Sequence, residues 1–112
     1  MDLHYKRALF AGAHLDDVEF GCGGLIAKWA NRSDVRLLTL TKKTRDAAGE
    51  VQITRDLDEP MAAAKSLGVP GDRVAIEDLD GQVLQNQAQA VREVFLQWRR
   101  DFDPDVVFVP AA

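Results

Sequence analysis

The chain has 112 residues, which fits one domain and leaves no room for two. Apolar residues at 46% and charged residues at 29% describe a folding globular chain rather than a disordered or fibrous one. A net charge of −4 speaks against nucleic acid as a partner, whose footprint would be a strong cluster of Lys and Arg.

The first residues, MDLHYKRALFAGAHLDD, run quickly from a short apolar stretch into carboxylates, and so read as neither a signal peptide nor a membrane span. Cys22 is the single cysteine, which excludes an intrachain disulfide and suits a reducing, cytoplasmic setting. Ala8 to Ala13 reads as a short buried strand. Gly21 to Ala30 has helical spacing, with Leu25, Ile26 and Trp29 on one face. Val35 to Leu40 is a second strand. Lys42, Lys43 and Arg45 form a basic cluster that Asp46 and Glu50 dilute, the pattern of a solvated loop. Thr54 to Leu67 reads as a helix capped by Gly68, and Pro60 within it implies a kink or a helix start nearby. Arg73 to Ile76 is a third strand and Ala88 to Trp98 a third helix. Val106 to Val109 is a fourth strand, bounded by Pro104 and Pro110.

The resulting βαβαβαβ pattern predicts an α/β fold, a parallel sheet with helices on both faces. Four strands are expected near residues 7–13, 35–41, 73–77 and 105–109, with the first beside the fourth. Sites in such sheets form beyond the carboxyl ends of the strands, where strand order reverses. The residues placed there are His14, Leu15, Asp16 and Asp17. Imidazole nitrogen and carboxylate oxygen are both zinc donors. In a tight loop His14 and Asp17 could face one ion, with Asp16 beside it as a free carboxylate able to act as a base. The competing reading is that all three only cap the following helix and complement its dipole. The glycines of FGCGG could provide a tight turn into that helix. They lack the spacing of a P-loop or of a dinucleotide fingerprint, so a nucleotide site is not expected. Cys22 reads as a small buried residue rather than a ligand.

AHLDDVEFGCGGLIAKW resembles the signature that follows the first strand in the LmbE-like, or PIG-L, family of zinc-dependent N-deacetylases. Later features follow the same order: Glu59 with Ala62 to Ala64, Leu67 and Gly68; Asp80 and Gly81 with Leu84; and PDVVFVP from Pro104 to Pro110. The resemblance implies a Rossmann-like fold over residues 1–112 and hydrolysis of an acetamide on an amino sugar or a related small N-acetyl compound. Carried over by position, His14 and Asp17 would be ligands to Zn2+ and Asp16 the general base. Arg55 is the residue nearest to a substrate-binding arginine, one residue out of the usual register with Glu59.

The chain departs from the family pattern in two places. Leu15 stands where the family has proline, which would otherwise restrict the preceding residue. The family's third zinc ligand, a histidine in an HxxDH-like motif after the PDVVF strand, has no counterpart before Ala112. The other histidine, His4, lies ten residues before His14. Extended chain of that length spans about 33 Å, so His4 is expected at the opposite end of the sheet. The sequence therefore reads as a single, partial LmbE-like domain ending after its fourth strand. Such a domain is expected to self-associate as a homo-oligomer. The alternative function is a catalytically inactive α/β module that oligomerises or binds a partner.

Overall fold

The computed structural model describes residues 6–14, 17–45, 48, 50–53, 57–77, 79 and 88–109, and the side chains of 17–21, 44, 45 and 51 lie outside the description. Among the described residues six strands and three helices follow in chain order: β1 (Arg7–Gly12), α1 (Asp17–Trp29), β2 (Asp34–Thr39), β3 (Lys43–Arg45), β4 (Val51–Ile53), α2 (Asp58–Ser66), β5 (Val74–Ile76), α3 (Ala88–Asp101) and β6 (Val106–Phe108). A short 3-10 turn, Gly71–Arg73, leads into β5.

Four strands form one parallel sheet in the order β5-β2-β1-β6. The first and last strands of the chain are therefore neighbours, as the alternating pattern predicts. Strand order reverses between β1 and β6: the chain steps outward from β1 to β2 to β5, then crosses back to the far side of β1. Opposite steps with one crossover hand place their helices on opposite faces. The side chains confirm this. Ala8 and Phe10 join Val35 and Leu37 in one core with Ile26 and Trp29 of α1 and Ala64 of α2. The alternate residues Leu9, Ala11, Leu38 and Leu40 meet Val91, Val94, Phe95 and Trp98 of α3 on the other face. Both faces of a central parallel strand are covered, which explains why β1 reads as a continuous apolar run.

Aromatic contacts tie the edge strand to the centre. Phe108 stacks on Phe10 with ring centroids 4.8 Å apart and meets the edge of Trp29 at 5.2 Å. At the amino ends of the same strands, the Arg7 N–H donates to the Asp105 carboxylate at 2.9 Å and its guanidinium donates to the Asp103 carbonyl at 2.7 Å.

Three local expectations are corrected. The stretch around Lys43 and Arg45 is not simply a loop: β3 pairs antiparallel with β4 in a separate two-stranded sheet. Among the described residues the second helix begins at Asp58, not Thr54. Pro60 sits in its first turn, where a missing N–H costs no helical hydrogen bond, so the proline marks a start and not a kink. The glycines at 21, 23 and 24 lie inside α1 and make no turn before it.

Candidate functional site

Parallel pairing of β1 with β2 does not stop at Gly12. Leu40 N–H donates to the Gly12 carbonyl and Thr41 N–H to the Ala13 carbonyl, each at 3.0 Å. The ladder thus carries rigid backbone up to His14, which sits half-buried in the bend after β1. Asp17 follows as the first residue of α1. The chain leaves a central strand at its carboxyl end, beside the strand-order reversal, with His14 in the bend and Asp17 opening the helix three positions on. In this class of fold that is the position where ligands bind.

Two other segments converge on the same rim. Glu77 N–H donates to the Thr39 carbonyl at 2.7 Å and Leu79 N–H to the Leu40 carbonyl at 3.1 Å, so the segment after β5 stays pinned beside the end of β2. The β3–β4 hairpin leaves from Thr41, which is fully buried. The Thr41 hydroxyl donates to the Leu79 carbonyl and accepts the Lys43 N–H at 3.0 Å. Sequence reasoning passed over Thr41. The signal available was a threonine closing an apolar strand, where an unpaired hydroxyl would be costly.

Asp16, Leu15, Arg55 and His4 lie outside the described residues, as do Asp80, Gly81 and Leu84, and so does the Asp17 side chain. Among the described residues no group of three or more His, Cys, Asp or Glu side chains could hold a metal ion. Imidazole and carboxylate suit zinc in kind. Cys22 is the single cysteine. It packs half-buried against the core on α1, and burial pushes its thiol up, which disfavours the thiolate a metal would need.

The open parallel sheet with helices on both faces and the strand-order reversal beside β1 define a Rossmann-like α/β domain. Within it, residues 9–112 match the family model described as PIG-L: GlcNAc-PI de-N-acetylase, and the chain belongs to that family. No solved structure gives a significant match to the chain.

Proposed function

We propose that this protein acts as a zinc-dependent N-deacetylase on an N-acetylated amino sugar or related small compound. His14 and Asp17 would hold the ion and Asp16 would serve as general base. The family match over residues 9–112 carries the reading, and the position of His14 at the carboxyl end of β1 supports it. Bound zinc would supply a polarised water and charge stabilisation for the amide oxygen. Asp16 would take a proton from the attacking water and return it to the leaving amine. Arg55 would help to hold the substrate. No helix among the described residues is long and apolar enough to cross a membrane.

The test is zinc titration calorimetry on the wild type, His14→Ala and Asp17→Ala, with hydrolysis of a simple N-acetyl amino sugar followed alongside. Zinc binding is expected to weaken by at least about tenfold in either variant, because each removes one of few ligands. Any turnover is expected to vanish in Asp16→Ala. Tight binding that neither ligand substitution affects would overturn the assignment.

A second reading is a non-catalytic module that self-associates. The observation favouring it is the apolar edge at β6, where Val107 and Val109 are 44% and 65% exposed. Weak zinc binding without turnover, together with a concentration-dependent dimer, would select it.

A further inference from the structure

We propose that Thr41 is a positioning residue for the His14 loop, an inference that rests on the deacetylase reading. Three chain segments end at the rim of the sheet, and Thr41 bonds to all of them. Its backbone N–H holds the Ala13 carbonyl at 3.0 Å, immediately before His14. Its hydroxyl donates to the Leu79 carbonyl in the segment after β5. The same hydroxyl accepts the Lys43 N–H at 3.0 Å, at the base of the β3–β4 hairpin.

The residue is wholly buried, so no water replaces these bonds when they break. A valine has nearly the same shape but would remove the hydroxyl that donates to the Leu79 carbonyl and accepts from the Lys43 N–H. The end of β2 would then have to move to replace these hydrogen bonds, and it would take the Ala13 carbonyl with it. Outer hydrogen bonds help to orient metal ligands and tune their affinity. Thr41 would act on the ion through His14, without touching it. Serine keeps the hydroxyl and loses only the methyl group, so it should preserve the tie.

The experiment compares wild type, Thr41→Val and Thr41→Ser by zinc calorimetry and by amide hydrogen exchange, both well below their melting temperatures. Thr41→Val is expected to weaken His14-dependent zinc binding about tenfold, while Thr41→Ser stays within about twofold of wild type. Exchange at the amides of residues 14, 41 and 79 should quicken together in Thr41→Val. Folded Thr41→Val with wild-type zinc affinity would overturn the proposal, and so would Thr41→Ser failing as badly as Thr41→Val.

Should Thr41→Val not fold, the wild type still decides. Binding and ordering are reciprocal, so zinc should slow exchange at residues 41 and 79 along with residue 14. Zinc that slows exchange at residue 14 alone overturns the tie. If the wild type shows no His14-dependent zinc binding, the deacetylase reading fails. The tie is then judged on exchange alone: unchanged rates at residues 14 and 79 in Thr41→Val overturn it.

Discussion

Gly68 holds a backbone φ of +92°, and a Cβ placed there would come within 3.1 Å of the Ala30 Cβ. Its N–H bonds the Lys65 carbonyl at 2.9 Å and the Val69 N–H bonds the Ala64 carbonyl at 2.9 Å, closing α2 against the end of α1. Gly68→Ala is expected to destabilise the fold by about 1–2 kcal/mol, read as a lower urea midpoint at unchanged slope. Gly24 is the opposite case: it is exposed within α1, and a Cβ there meets nothing within 4 Å. Gly24→Ala should raise stability by up to about 1 kcal/mol in the same assay. Asp34 accepts from Arg36 at 2.9 Å. That hydrogen bond holds its carboxyl below the ordinary 3.8, aided by the charges of Arg36, Arg73 and Arg7 and opposed by burial. The folded chain therefore releases this proton at lower pH than the unfolded chain does. The stabilisation is present above the unfolded value and is lost as pH falls through the folded one. Asp34→Asn should flatten the fall in stability between about pH 5 and 3 by less than about 1 kcal/mol, because the pair is partly solvated. Among the site residues, the position of His14 was legible because a strand that ends in polar residues can be read from local pattern. Thr41 was not, since its role depends on carbonyls and amides contributed by segments up to 38 positions away.

The strands of the main sheet and α1 and α3 were readable because each buries a periodic apolar stripe. Trp29 and Ile26 enter one core, and Phe95 and Trp98 line the other. The β3–β4 hairpin was not readable. Its strands have three residues each, and Lys43–Thr44–Arg45 carries no apolar alternation, so pairing alone creates the element. The start of α2 was misplaced for a similar reason: helical composition extends back to Thr54, while the helix begins at Asp58, with Asp58 and Glu59 in its first turn. Acidic residues are favoured there by the helix dipole, and Pro60 fits only there. The short β6 strand is tied to the core by an aromatic side chain as well as by its pairing. Phe108 stacks on Phe10 and meets Trp29, so Phe108→Ala should cost about 2–3 kcal/mol and lower the melting temperature accordingly. Its neighbour Val107 points to the other face and is largely exposed, so Val107→Ala should cost much less in the same melt.

At the scale of the molecule, the strand order β5-β2-β1-β6 places β2 and β1 inside and leaves β6 at an edge. Its inner neighbour is covered on both faces, but β6 is not. Val106 and Phe108 pack beneath α1. Val107 lies on the α3 side, beside a groove of about 510 Å³ that Leu9, Phe95, Leu96 and Trp98 also line. Leu96 is 36% exposed, and Val109 beyond the strand is 65% exposed. Open parallel edges with apolar side chains invite pairing with a further chain. Arg92, Arg99 and Asp103 also line the groove. The chain is therefore expected to associate with itself through β6, with the sedimentation coefficient rising with concentration. Val107→Lys places a charge on the free edge without touching Phe108, and should return the protein to a monomer with its melting temperature little changed. A wild type that sediments as a clean monomer at high concentration would overturn the expectation. A dimer that Val107→Lys leaves intact would move the contact to another surface.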